Sequence, residues 1–214
     1  MAIALQSLPP ELQALTGQRI LIIGNGPSAT EAALGAQIDS FDTIVRINNY
    51  VTDGLESQVG SRTDIWVNGA NQGLHKRQDL PGLILVMIPT QVLDHKGEAI
   101  HARIEKRLGT TNYILIPRAI IHDLETEAGL ERPSTGFFCM SFFHAMGLDV
   151  TLHGFDFFVG STAHYFDSPL KRWMKDKGIL KKAGKHAIHD EKAYIDSLIQ
   201  SGALKRLSDR SRTT

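Results

Sequence analysis

Residues 19–28 read RILIIGNGPS, a nearly continuous apolar run that ends in a glycine turn. An apolar run of this length, bounded by turn residues, is typical of a parallel strand that is buried on both faces. Ser28 and Glu31 have the spacing of a capping box, which predicts that a helix starts at the turn and continues to about residue 34. The stretch therefore predicts a strand, a glycine turn and a helix, the opening unit of a layered α/β domain.

The same pattern continues downstream. Strand-like apolar runs lie at residues 43–47, 64–67, 83–88, 113–116 and 150–152, and helical patterns lie at residues 94–108, 135–146 and about 190–200. This alternation predicts a Rossmann-like α/β fold with a mostly parallel central sheet flanked by helices. Ligands of such sheets bind beyond the carboxyl ends of the strands, so we expect a site where the loops after the first, second and 150–152 strands gather.

Composition sets the broad class of protein. The 214 residues suit one domain, residues 1–214, with a flexible tail at about 208–214. The 23 basic and 23 acidic side chains balance, so no global field points to nucleic acid. The single cysteine, Cys139, lies in an apolar run and is predicted to fill the core without a disulfide. No signal peptide or membrane span is recognisable, and we expect a cytoplasmic protein.

The glycine turn is a candidate anion site. Gly24, Asn25 and Gly26 would let the backbone approach a ligand closely and direct helix N–H groups towards it, which suits phosphate. Ala29 stands where a dinucleotide fingerprint needs glycine, and no nucleoside-triphosphate loop follows. The turn alone is equally compatible with a tight connection that binds nothing.

Four groups of glycine, polar and aromatic residues follow one another along the chain. They are Gly24-Asn25 with Gly35, Ile38-Asp39, Asp42-x-Ile44-x-Arg46-x-Asn48 and Val59-Gly60-x-Arg62-Thr63; Pro133-Ser134-Thr135-Gly136 with Val150-x-Leu152-x-Gly154-Phe155; His164-Tyr165-Phe166-Asp167; and His186 with Glu191. Their order and spacing over about residues 18–204 resemble the large, small, third and very small sialyl motifs of glycosyltransferase family 29, the sialyltransferases. The glycine turn and residues 154–157 also resemble family 42, the bacterial sialyltransferases.

The resemblance implies an inverting, metal-independent transferase with a sialyltransferase-type variant of the GT-A fold. Such an enzyme moves a 2-keto sugar acid, sialic acid or Kdo, from its CMP-activated donor to a sugar hydroxyl of a surface glycan, without a cofactor. It has to hold the phosphate, stabilise the charge on the leaving group and remove a proton from the acceptor.

The resemblance also implies roles for particular residues. Those expected to bind the donor are Gly24, Asn25, Gly26, Asn48, Ser134, Thr135, Gly136 and Tyr165. His186 is the expected general base, because an imidazole titrates near neutrality, and His164 is expected to face the departing phosphate. His189 competes with His186 for the role of base.

Several of these residues have structural alternatives. Asn48 could be a turn residue, and Ser134 or Thr135 could cap the helix that follows them. Glu191 could orient the base or only favour the N-terminus of its own predicted helix.

Two departures from the family pattern bear on the setting of the protein. Animal members join the large and small motifs by a disulfide, and Cys139 has no partner, which fits a bacterial cytoplasmic enzyme. Arg132 precedes Pro133 where the family often has tyrosine, so a cation would replace one phosphate contact.

Two loops and two rival functions remain open. The basic stretch at residues 170–185 could be a lid over the donor, a peripheral membrane contact or a solvated face. Acceptor contacts are expected from the loops at residues 68–79 and 170–184. The rival functions are a non-catalytic nucleotide- or sugar-phosphate-binding protein and a dinucleotide enzyme.

Overall fold

The computed structural model describes residues 2–156, 165–167 and 185–207. His164, the basic residues 170–184 and the tail 208–214 lie outside the described residues. The backbone of His186 lies in a described helix, but its side chain is outside the description.

Seven strands form one sheet in which every neighbouring pair is parallel. They are β1 (Arg19–Ile23), β2 (Thr43–Ile47), β3 (Ile65–Asn68), β4 (Leu83–Val86), β5 (Ile114–Leu115), β6 (Asp149–His153) and β7 (Lys205–Arg206). Their order across the sheet is β5-β4-β3-β2-β1-β6-β7. The predicted parallel α/β fold is confirmed, while the two-residue strand β7 has no counterpart among the predicted strands.

Helices connect the strands and cover both faces of the sheet. The α-helices are α1 (Pro10–Gln13), α2 (Gly35–Asp39), α3 (Glu56–Val59), α4 (Thr90–Lys96), α5 (Ala99–Leu108), α6 (Arg118–Ala128), α7 (Thr135–Ala145) and α8 (Lys185–Gln200), and short 3-10 helices span Leu5–Ser7 and Pro27–Thr30. Helix α7 agrees with its prediction to within a residue, and α8 begins earlier than predicted.

The core lies on both faces because side chains alternate along the buried strands. On β1, Ile20 and Ile22 face a large cluster that includes α7, whereas Leu21 and Ile23 pack with Ile38 of α2 on the opposite face. Helix α7 is apolar all round, and its residues from Thr135 to Phe143 are buried. Cys139 is fully buried there, as predicted, and burial raises the pKa of its thiol.

The predicted helix after the glycine turn is wrong. Ser28 does not cap an α-helix: Gly26 precedes a 3-10 helix at Pro27–Thr30, and a separate helix starts at Gly35. The reason is tertiary, because the amide of Ser28 donates 3.0 Å to the carboxylate of Asp156, which follows β6.

One further helix prediction needs correction, and one helix was missed. The predicted helix at residues 94–108 is divided into α4 and α5 at Gly97, whose φ of 50° ends the first of them. Helix α6 was not predicted. Its signals are Pro117 immediately before the first turn and Gly129 in the left-handed conformation after the last.

The strand order creates a switch point between β1 and β6. From β1 the chain builds the sheet outwards through β2 to β5, and it then returns to the other side of β1 with β6. The connections therefore diverge at the carboxyl ends of β1 and β6 and leave a crevice there, which is the usual ligand position in open parallel sheets.

Candidate functional site

The glycine turn after β1 packs directly on the turn after β6. The amide of Gly24 donates to the His153 carbonyl and that of Gly26 to the Gly154 carbonyl, both at 2.8 Å. A Cβ atom at position 24 would lie 2.4 Å from the Gly154 carbonyl oxygen, so only glycine fits this approach. The glycines thus bring two backbone turns together at the switch point.

The amides of this turn are largely used inside the protein. Asp156 accepts the Ser28 amide, and a Cβ on Gly26 would lie 2.2 Å from the same carboxylate oxygen. An acidic side chain therefore occupies the position at which the glycine turn alone predicts a phosphate. Asp156 therefore caps the glycine turn from the neighbouring strand end.

Three asparagines lie at the carboxyl ends of neighbouring strands. Asn25 follows β1, and its Nδ2 donates 2.9 Å to the Ile47 carbonyl at the end of β2. Asn48 follows β2 in a left-handed conformation, with φ of 50°, and its Oδ1 is buried without a hydrogen-bond partner in the described part of the chain. Asn68 ends β3 fully buried.

Sequence reasoning missed Asn68, which it placed in a loop. The signal was a polar amide at the end of an apolar strand run. Its Oδ1 accepts the Ala70 amide at 3.1 Å, and its buried Nδ2 is unpaired among the described residues. Buried amide atoms are normally hydrogen-bonded, so this row of asparagines carries unused bonding capacity at the strand ends.

Helix α7 points its N-terminus at the same edge. Ser134 is its N-cap and accepts the Phe137 amide at 3.1 Å, which confirms the predicted capping role. A Cβ on Gly136 would lie 3.4 Å from atoms of both Ile47 and Phe155. The small-motif helix therefore starts against the end of β2 and the turn after β6.

Glu191 joins helix α8 to this helix terminus. Its carboxylate accepts the Ser134 amide at 2.8 Å and the Ser134 hydroxyl at 2.6 Å. Glu191 is buried, and this burial raises the pKa of its carboxyl group above the ordinary value although the bonds to Ser134 act in the opposite direction. Glu191 therefore binds the N-terminus of α7 and not that of its own helix, because α8 begins at Lys185 and has no acidic residue in its first turn.

The hydrogen bonds between Glu191 and Ser134 also locate the backbone of His186, which lies on the same helix as Glu191. Helix α8 starts at Lys185, so His186 lies in its first turn, about 7.5 Å along the axis from Glu191. His189, the competing candidate, is exposed on the same helix.

Tyr165 fastens the third motif to the loops after β1 and β2. Its backbone amide donates 3.0 Å to the Asn25 carbonyl. Its hydroxyl donates 2.7 Å to the Val51 carbonyl and accepts the Val51 amide at 3.0 Å. The ring is buried and its hydroxyl holds the loop after β2, while the contact of Tyr165 with the donor stays a prediction.

Arg46 and Asp39 of the large motif stabilise the scaffold. Arg46 is fully buried, and its Nη2 donates 2.7 Å to the Val59 carbonyl. Burial lowers the pKa of this guanidinium. Burial opposes ionisation of Asp39, but the amides of Ser61 and Arg62 outweigh it and lower the pKa of this carboxyl overall.

A cavity of about 280 Å³ lies at the switch point. Its lining includes Ser28, Gly154, Phe155 and Asp156, from the two turns that meet there. Within the described ranges, no group of three or more histidine, cysteine or acidic side chains could hold a metal ion. No described helix is long and apolar enough to cross a membrane.

Known proteins share this fold. A mammalian sialyltransferase crystallised with Gal-beta-1-3GalNAc-ortho-nitrophenol superposes with a TM-score of 0.66 at 20% identity, over 95% of this chain and 74% of that chain. The monofunctional alpha-2,3-sialyltransferase Cst-I from Campylobacter jejuni gives a TM-score of 0.60 at 13% identity, over 90% of this chain and 76% of that chain. The predicted Rossmann-like fold agrees with both.

Sequence comparisons point to the same group of proteins. The rat CMP-N-acetylneuraminate-beta-galactosamide-alpha-2,3-sialyltransferase 4 is 30% identical over 96 residues, which are 44% of this chain and 29% of that protein. The human CMP-N-acetylneuraminate-beta-1,4-galactoside alpha-2,3-sialyltransferase is 40% identical over 58 residues, which are 27% of this chain and 16% of that protein. The chain thus matches less than a third of the length of each of these relatives.

The family model gives the broadest match. The model of glycosyltransferase family 29 (sialyltransferase) matches residues 3–96 and 106–203 and so includes all four motif groups. The chain therefore belongs to glycosyltransferase family 29, the sialyltransferase family.

Proposed function

We propose that this chain transfers sialic acid from a CMP-activated donor to a sugar hydroxyl of a surface glycan. The observation that carries the proposal is the convergence of Asn25, Asn48 and the N-terminus of α7 at the carboxyl ends of β1 and β2. The matched relatives are named for CMP-N-acetylneuraminate, which favours sialic acid over Kdo as the sugar.

The described residues suit an anionic nucleotide. The first-turn amides of α7, at Thr135 and Gly136, have no carbonyl partner within their own helix, and the positive end of the helix dipole lies there. The buried Oδ1 of Asn48 is an acceptor for a hydroxyl or amino group of the nucleotide. A phosphate at the N-terminus of α7 would bond to these amides, and a nucleoside beside the strand ends would bond to the Asn48 Oδ1.

The proposed reaction is a single inverting displacement. The acceptor hydroxyl attacks the anomeric carbon of the donor, a carbon–oxygen bond forms on one face, and the bond to the CMP phosphate breaks on the other. The proton of the hydroxyl passes to His186, and CMP departs as an anion facing His164. No step requires a metal ion, because the donor already carries a good leaving group.

The test is a transfer assay with the whole chain. CMP-sialic acid and CMP-Kdo are each offered with a panel of acceptor glycans, with and without a metal chelator, and the products are read by mass spectrometry. We expect sialylated product in the presence of the chelator. CMP binding without transfer to any acceptor would instead favour a non-catalytic binding protein.

Histidine variants test the mechanism. We expect His186→Ala to lower kcat at least about 100-fold, the usual contribution of a general base. His189→Ala is the matched control, since it changes an exposed histidine three residues away on the same helix. A large loss in His189→Ala together with normal turnover in His186→Ala would exchange the two assignments.

A further inference from the structure

A second cavity, of about 420 Å³, lies away from the switch point. Its walls come from the loop after β2, from the segment before β3 and from the segment before β4. Tyr50, Val51 and Asp53 line one side, and Arg77, Asp79 and Leu80 line another. This volume lies within the roughly 300–1,000 Å³ range that is typical of ligand pockets.

The apolar part of the cavity is unusual for this protein surface. Val51 and Leu80 are the large hydrophobic side chains that stand exposed in the described ranges, at 38% and 41% of their full area. Both line this one cavity. Apolar side chains gathered in a concave site provide a surface for the C–H face of a ligand.

The polar part of the cavity selects against anions. Asp53 and Asp79 contribute two carboxylates, whereas Arg77 contributes one guanidinium. That guanidinium lies 3.8 Å from the centre of the Tyr50 ring, and its Nη1 donates 3.1 Å to the Tyr50 carbonyl. The lining therefore has a net negative charge and would repel phosphate or a sialylated chain.

Ser61 and Thr63 complete the lining. The Ser61 hydroxyl already donates to Asp39, whereas the Thr63 hydroxyl accepts from Arg46 and keeps its hydrogen for a ligand. Hydroxyl, carboxylate and guanidinium groups beside an apolar surface match a ligand with hydroxyls around its rim and C–H groups on its faces. An uncharged sugar ring has this chemistry, because its hydroxyls both donate to carboxylates and accept from guanidinium and hydroxyl groups.

Hydrogen bonds connect the cavity to the candidate transfer site. Val51 follows Asn48 by three residues, and both its backbone groups bond to the Tyr165 hydroxyl. Tyr165 in turn bonds to the Asn25 carbonyl. A ligand against Val51 would therefore lie beside a loop that is fixed to the strand ends.

We infer that this cavity binds a neutral oligosaccharide, the inner part of an acceptor glycan whose outer end is sialylated at the switch point. The inference rests on the proposed function for the role of the ligand, but not for its binding. Tethering the inner sugars would raise the effective concentration of the acceptor end without changing the chemical step.

Binding is measured directly, without a donor. A panel of neutral tetrasaccharides built from galactose, glucose, mannose and N-acetylglucosamine is titrated into the full chain and followed by nuclear magnetic resonance. We expect at least one to bind, and Asp79→Asn and Leu80→Asn each to weaken it about fivefold to tenfold, as for one lost contact. Asp123→Asn is the matched control, because Asp123 is an exposed carboxylate on α6 outside the cavity lining.

Two results would overturn the inference: no neutral tetrasaccharide binds, or both cavity variants bind like the wild type. Transfer assays separate it from the proposed function. If sialyl transfer occurs, the same variants should raise KM for a four-sugar acceptor and leave kcat, and KM for a one-sugar acceptor, unchanged. If transfer is absent while the tetrasaccharide still binds and the variants weaken it, the proposed function fails and the cavity assignment stands.

Discussion

The bond between Glu191 and Ser134 gives the sharpest test of how the site is held. Ser134→Ala removes a hydroxyl that donates to the Glu191 carboxylate at 2.6 Å and accepts the Phe137 amide at 3.1 Å. Loss of an N-cap serine typically costs about 1 kcal/mol. Loss of a hydrogen bond to a buried carboxylate adds about 1–2 kcal/mol, at the lower end for charged groups because Ser134 is itself exposed to water. We expect a total of about 2–3 kcal/mol in the free energy of unfolding.

Glu191→Gln should cost much less at neutral pH. The amide oxygen still accepts the Ser134 amide, and the change removes a charge whose burial is unfavourable. We expect a difference within about 1 kcal/mol, because the lost charged bond and the relieved desolvation oppose each other. In the Glu191→Gln background, Ser134→Ala should cost only the cap, about 1 kcal/mol.

The assay is denaturant unfolding of the two single variants and the double variant, which together form a thermodynamic cycle. The expected coupling is about 1–2 kcal/mol, well above the roughly 0.5 kcal/mol scatter of independent sites. Glu131→Gln is the control, since Glu131 is exposed and lies three residues from Ser134. If Ser134→Ala costs the same in both backgrounds, Glu191 does not hold the helix terminus and the reasoning is refuted.

The pH dependence of the same cycle has a definite sign. Burial raises the folded pKa of Glu191 above its ordinary value of 4.5, so the folded protein binds this proton more tightly than the unfolded chain. Stability contributed by this group therefore falls as pH rises from 4.5 through the folded pKa. Relative to Glu191→Gln, the wild type should gain stability on acidification through that window, and a loss would contradict the assignment.

Two other substitutions test the contacts between the turns and loops at the strand ends. Gly24→Ala should destabilise the fold by about 1–3 kcal/mol in thermal unfolding, because its Cβ would lie 2.4 Å from the Gly154 carbonyl oxygen. Gly82→Ala is the control and should be near neutral, because its Cβ would have no atom within 4 Å. Tyr165→Phe removes both bonds to Val51 and should cost about 1–3 kcal/mol and weaken CMP binding measured by calorimetry; unchanged stability and binding would show that the hydroxyl does not hold this loop.

Local sequence predicted the sheet well because a strand buried on both faces needs a continuous apolar run. The run at residues 43–47 is β2 to the residue, and the apolar runs that begin at residues 19 and 83 extend beyond β1 and β4 only at their carboxyl ends. Helix α7 was equally clear, since an apolar segment follows a serine cap. Two helix predictions were wrong. The helix at residues 94–108 is interrupted by the conformation of Gly97, and the helix after the glycine turn does not form where Asp156 bonds to Ser28.

The sequence predicted where several residues of the candidate site lie, but not which hydrogen bonds they make. The positions of Asn25 and Asn48 at strand ends follow from the strand predictions, and the structure brings both to one edge. Two hydrogen bonds could not be predicted, because each joins residues far apart in sequence. Asn25 donates an amide hydrogen to the Ile47 carbonyl, and the Tyr165 hydroxyl donates to the Val51 carbonyl. The histidine assignments stay predictions.

By itself, the sequence determined the α/β class, the parallel sheet, the core helix α7 and the family. Apolar periodicity is a property of neighbouring residues, and the order of the motifs can be followed along the chain without the fold. Only the tertiary structure decided two hydrogen bonds to carboxylates. Asp156 accepts the amide of Ser28, 128 residues away in sequence, and Glu191 accepts the amide of Ser134, 57 residues away. It also decided the second cavity, whose walls come from three loops that no local pattern relates. Local patterns set which elements form, whereas packing sets which polar groups remain free for a ligand.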